Sequence, residues 1–345
     1  MSNLPLKLAS AWTALIVYAS LYPFSGWHDT GISPFAFLAA GWPRYLSGFD
    51  LTVNLLAYLP LGLFWAAAGL RRLSPAVAFL AAWCLGSGLS FAIEALQNYL
   101  PSRVSSNLDF ACNALGAGLG ALIGSGWGGA LLDGGRLHRW RQQRFMAGAS
   151  GDFGLMLLAL WLLMQLNPEN ILFGSGDLRS LFGLPPALPF EAARFTRFEL
   201  VSVAAQTLGV ALLAARLARR RPFALPLTLI AAGLAIKSAA FLVLMQGMQG
   251  LAWATPGTLG GLAAGLALWG AAMALAPGVR RVAAALALML ASALANLMPD
   301  NPYLADTLRV WQQGHFLNFN GLTRLVGALW PYLALSWLML SRSER

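Results

Sequence analysis

The chain has 345 residues, 58% of them hydrophobic and only 10% charged, whereas an average soluble domain carries roughly 25% charged residues. So few charges exclude a water-soluble surface of this size, and the recurring apolar stretches have the length that crosses a bilayer. The net charge of +10 does not mark a nucleic-acid groove, because the basic residues are spread between spans rather than gathered along one face.

Taken in chain order, ten transmembrane helices are expected, at roughly 8–24, 51–70, 75–97, 108–127, 152–166, 198–217, 223–246, 258–276, 282–297 and 322–340. Long Leu/Ala/Gly-rich runs without period-2 alternation mean helices and not a barrel, since a span in lipid must satisfy its own backbone. The expected class is therefore all-α, a polytopic integral membrane helix bundle. Fifteen of the 23 basic residues fall on one side, among them Arg71, Arg72, Arg139, Arg219 and Arg281. Seven fall on the other: Arg44, Arg103, Arg179, Arg194, Arg197, Arg309 and Arg324. The positive-inside bias then puts both termini in the cytoplasm. The first span lacks a clean cleavage site and reads as a retained anchor. Cys84 and Cys112 lie within spans at different depths and read as buried apolar thiols, not a disulfide.

The Arg-rich stretch 133–150 divides the chain into an N-terminal four-helix region (1–132), a basic cytoplasmic linker and a C-terminal six-helix region (151–345). Loops at 25–49 and 168–197, rich in Gly, Pro and aromatics, read as outer interfacial connectors. A third, 298–321, has room for a short surface helix. In the fourth span Gly116, Gly120, Gly124 and Gly128 recur every four residues, a stripe that lets another helix approach closely. No strand precedes it, which sets aside a dinucleotide-binding loop.

Polar groups are costly in lipid, so their positions are informative. Asp50 and Asn54 stand i, i+4 at the outer start of the second span. Ser90, Glu94 and Gln97 share one face at the outer end of the third. Asp109 and Asn113 repeat the i, i+4 pair at the start of the fourth, with Arg103 in the loop before it. Each set occupies one helical face at similar depth. Two readings follow. In one, Glu94 is a proton donor or acceptor, Arg103 and Asp109 hold a head group, and Asn54, Gln97 and Asn113 orient it. In the other, Glu94, Arg103 and Asp109 form a closed interhelical network that fixes packing. No His joins these residues, no metal site is expected, and no cofactor is implied.

The stretch 50–124 resembles a VanZ-like domain. The matching pieces are DLTVNLLAYLPLGLF with Asn54, Pro60 and Gly62, SFAIEALQNYLPSR with Ile93, Glu94, Gln97 and Arg103, and SNLDFACNALGAGLG with Asp109, Asn113 and Gly116. The resemblance implies a multi-pass protein of the bacterial cytoplasmic (inner) membrane, and together with the outer placement of the polar cluster it points to a non-catalytic protein that binds or handles an amphipathic or lipid-linked cell-envelope molecule. For the member that names the family it also implies a link to teicoplanin, a glycopeptide antibiotic, and so to antibiotic resistance. The family supplies no mechanism, and its motifs do not reach the last six spans. Two other functions stay open: an intramembrane hydrolase or transferase with Glu94 as acid/base, and a transporter or flippase. A nucleophile–base motif is missing for the first and an internal repeat for the second.

Outside the matched stretch, Lys237 lies mid-span, either reaching the carboxylates of the polar cluster or held in a network of its own. Glu199 reads as a snorkelling end-of-span group, and Gln206, Asn296 and Arg324 as packing or interface groups. His28, His138 and His315 sit on both sides of the membrane and share no metal. Asp300 and Asp306 flank a Pro-rich turn near an outer mouth.

Overall fold

The computed structural model describes residues 4–41, 48–132, 135–244, 250–302 and 317–341. Arg44, Asp306, Arg309, His315 and most of the 298–321 loop lie outside them.

All ten expected spans are helices, with ends moved by a few residues. They are α1 Leu4–Leu21, α2 Gly48–Gly69, α3 Pro75–Gln97, α4 Asn107–Leu132, α6 Gly148–Met164, α8 Ala192–Leu217, α9 Ala224–Leu244, α10 Pro256–Ala272, α11 Pro277–Leu297 and α12 Leu317–Leu340. Two further helices are short: the basic α5 Arg136–Arg144 and α7 Leu178–Leu181. Among the described residues, seven helices (α1 to α4, α8, α9 and α11) are long and apolar enough to cross a membrane. At 17 residues, α6 and α10 extend about 25 Å at 1.5 Å per residue, short of a full hydrocarbon core.

Sequence sets the helix starts. Pro75, Pro256 and Pro277 open α3, α10 and α11, positions where a missing N–H costs nothing and φ is already helical. Thr255 caps α10 by accepting from the Thr258 N–H.

The chain divides into two compact units, Met1–Gln142 and Gln143–Arg345. In the first, α2 and α4 make the tightest pair. Their glycines explain why. A Cβ on Gly116, Gly120 or Gly124 would run into the carbonyl oxygens of Leu55, Leu59 and Leu63, and one on Gly128 would meet the Ala67 side chain at 2.6 Å. Gly62 on α2 presses in turn on the Ala117 carbonyl. The i+4 stripe thus lies on the matching i+4 row of α2, backbone against backbone.

In the second unit α8 is central, with 78% of its span buried, and packs against α10 and α11. Much of the segment 167–177 departs from the outer-loop expectation. Asn167, Leu172, Phe173 and Ser175 are all buried, and Phe173 takes a left-handed φ of 60°. Irregular backbone buried away from water needs side-chain partners, and surrounding helices supply them. Lys237 on α9 donates to the Asn167 and Asn170 carbonyls at 2.6 and 2.7 Å. Gln206 on α8 donates to the Ser175 hydroxyl at 2.8 Å, and Asn296 on α11 to the Gly176 carbonyl at 2.7 Å. Lys237 is therefore a clamp on its own unit's backbone, with the Phe241 ring 5.6 Å away.

Other expectations also change. Glu199 is not a snorkelling group: it is buried and accepts from the Thr255 hydroxyl at 2.6 Å. Arg324 donates to the Ser180 carbonyl and lies 3.9 Å from Glu169. Neither cysteine is buried within its unit, since Cys84 is exposed and Cys112 intermediate; both are free thiols.

Candidate polar site at the ends of helices one to four

The first unit gathers its polar side chains at one end, where α1 and α3 finish and α2 and α4 begin. Asn54 Nδ2 donates to Asp109 Oδ1 at 2.7 Å, tying α2 to α4. Asn113 Nδ2 donates to Ser90 Oγ at 3.0 Å, tying α4 to α3. Glu94 Oε2 accepts from the Ser106 N–H at 2.9 Å, while the Ser105 hydroxyl donates to the Glu94 carbonyl at 2.6 Å. Ser106 Oγ accepts in turn from the N–H groups of Leu108 and Asp109. Glu94 and Asp109 therefore both sit at the positive end of the α4 dipole, where carboxylates are favoured. The two are close enough to interact electrostatically.

Gln97 and Arg103 do something else. Gln97 Nε2 donates to the Ser20 carbonyl at 2.8 Å, and Arg103 Nη2 to the Tyr22 carbonyl at 2.6 Å. These carbonyls belong to the last turn of α1 and the residue after it, where helices leave oxygens without intrahelical donors. A cation there also complements the helix dipole. The expected Glu94–Arg103–Asp109 ionic network is thus not formed among the described residues. Arg103 turns to α1, and Glu94 takes a main-chain donor instead. Burial pushes the Arg103 guanidinium down to about 10, still charged at neutral pH. Asp50 stands half-buried in the first turn of α2, one turn before Asn54.

Tyr58 was not among the expected residues, yet it completes the row Asp50, Asn54, Tyr58 at i+4 spacing on α2. It is only 3% exposed and its hydroxyl is directed at Ser90. Among the described residues that hydroxyl makes no hydrogen bond of acceptable geometry, and neither does Asn113 Oδ1 or Arg103 Nε. An aromatic in a span looks like packing, so the row itself was the signal.

The 25–41 loop lies over this end. Asn98 donates to the Thr30 hydroxyl and the Ile32 carbonyl, and Asn107 to the Ala40 carbonyl at 2.7 Å. Phe37 is buried against Phe91 and Phe110. Trp27, Ile32, Phe35 and Leu38 stay exposed, as interfacial anchors do. Among the described residues no group of three or more His, Cys, Asp or Glu is placed to hold a metal ion.

Residues 6–128 match the family described as VanZ/LLP1. No curated protein and no solved structure matches the chain at a significant level. The matched stretch contains α1 to α4 almost entirely, and with them Asp50, Asn54, Glu94, Gln97, Arg103, Asp109 and Asn113. Residues 6–128 of this multi-pass membrane protein are thus similar to the VanZ/LLP1 family, and a longer C-terminal helical region that the match does not reach follows them.

Proposed function

We propose that the VanZ-like region binds the polar head of an amphipathic or lipid-linked cell-envelope molecule, in a bacterial cytoplasmic membrane and from its outer face. The observation that carries this reading is the unmet hydrogen-bonding capacity of the cluster. The Tyr58 hydroxyl, which only faces Ser90, and Asn113 Oδ1 are buried without a hydrogen bond of good geometry among the described residues. A network serving packing alone is expected to close on itself, because each orphaned buried group costs on the order of 1–3 kcal/mol. A head group, directly or through water, supplies the missing partners. Arg103 adds a cation that no carboxylate neutralises among the described residues. A contribution to glycopeptide susceptibility follows only where the envelope precursor is the bound molecule.

A second reading is favoured by one proximity: the Tyr58 hydroxyl lies near enough to Glu94 to feel its charge. That pair offers an acid/base couple to an intramembrane hydrolase or transferase. Full-length Glu94→Gln, Asp109→Asn and Arg103→Ala proteins in lipid nanodiscs separate the readings. Normal folding with reduced copurified lipid supports binding, and retained binding with lost turnover of an envelope lipid supports the enzyme. Loss of folding in all three, with unchanged lipid per folded molecule, contradicts both.

A further inference from the structure

Between α1 and α2 runs an open, mostly apolar groove of about 500 Å³, lined by positions 10, 13, 14, 17 and 18 of α1 together with Phe24 and Trp65. Its α1 residues follow one helical face, and the run from position 10 to 18 extends about 12 Å at 1.5 Å per residue. That length suits a stretch of alkyl chain lying along the helix.

Its far end is built rather than left open. Phe24 holds a left-handed φ of 61°, a conformation bulky residues rarely adopt and one that gathers at ligand clamps. The turn sets the Phe24 ring against Tyr18, with centroids 5.3 Å apart. Two residues earlier, the Tyr22 carbonyl takes Arg103 Nη2. Phe24 at the end of the groove thus lies two residues from the carbonyl that holds the Arg103 guanidinium, and Arg103 Nε has no hydrogen-bond partner among the described residues. An alkyl slot closed by aromatics and headed by a cation has the polarity of an anionic lipid.

We propose that this groove seats one acyl chain of an anionic lipid whose phosphate is held by Arg103. The inference rests on the head-group reading above and names its ligand class. Arginine suits phosphate because its fork matches two oxygens at once, and a phosphodiester without a choline counter-charge leaves that interaction uncompensated. Trp65, whose indole donates to the Thr13 hydroxyl at 3.1 Å, fixes one groove wall.

The test uses the full-length chain in nanodiscs containing phosphatidylglycerol or phosphatidylcholine, each carrying a diazirine on its acyl chain. Crosslinked peptides are mapped by mass spectrometry. The expected result is labelling of 13–18 and Trp65 by phosphatidylglycerol at about tenfold over phosphatidylcholine, the ratio that one charge-assisted contact supports. Arg103→Gln brings the two lipids to parity. Ala14→Trp, or Val17→Trp if the first fails to fold, removes groove labelling while the preference for phosphatidylglycerol elsewhere in 94–109 remains. Excess inorganic phosphate leaves the preference intact, whereas its loss assigns the site to a free anion and overturns the proposal. Equal labelling by both lipids, unmoved by Arg103→Gln, means bulk lipid fills the groove and also overturns it. Phosphatidylglycerol labelling confined to 94–109 rejects the groove and spares the head-group reading. No preference anywhere on the chain rejects both.

Discussion

Asn54 and Asp109 meet across 2.7 Å although 55 residues separate them, so one hydrogen bond joins the starts of α2 and α4. The bond is charge-assisted and half-buried, and such bonds contribute about 1.5–3 kcal/mol. Asn54→Ala should lower the thermal midpoint in detergent by an amount equivalent to that range. Asn54→Asp should lower it further, because a second carboxylate then faces Asp109. Equal midpoints for wild type and Asn54→Ala would remove this bond from the account.

The α2–α4 seam predicts a sharp contrast within one helix. Gly120→Ala drives a methyl into the Leu59 carbonyl, whereas Gly126 has nothing within 4 Å of its Cβ position. Overpacking of this kind costs about 1–3 kcal/mol, so Gly120→Ala should destabilise and Gly126→Ala should not. Thermal unfolding of the two variants side by side checks this. A larger loss from Gly126→Ala would contradict the packing.

Lys237 predicts a local effect. Lys237→Met removes the donor from two buried carbonyls and should cost the segment 167–177 on the order of 1–3 kcal/mol. Hydrogen exchange should show faster exchange there, with protection in α2 and α4 unchanged. Uniform loss of protection throughout both units would count against a clamp confined to its own unit.

Much of the fold was legible because bilayer spans must be long and apolar, and all ten expected segments are helices. The glycine stripe also announced its partner surface, since only small residues recurring every four positions let helix backbones touch. Spacing placed Asn54, Asp109, Ser90 and Asn113 on facing helices, and they do bond in pairs. The partners of Gln97 and Arg103 were not legible, because main-chain carbonyls such as those of Ser20 and Tyr22 leave no mark in a sequence. Their exposure depends on where α1 stops. Segment 167–177 was misread for a related reason: Gly, Pro and Asn signal irregular backbone, but not whether that backbone lies outside the bundle or within it. Lys237 and Gln206 were the hint, polar groups in mid-span that needed something to hold.

The Tyr58 hydroxyl tests the central claim most directly, because packing and binding predict opposite things for Tyr58→Phe. The measurement is the thermal midpoint of the variant together with the anionic lipid it retains per folded molecule. A hydroxyl that only faces Ser90, with no hydrogen bond of good geometry among the described residues, contributes little to a closed network, so the midpoint should stay or rise, while retained lipid should fall severalfold. A lowered midpoint with undiminished lipid would show that the hydroxyl serves the fold and would contradict the head-group site.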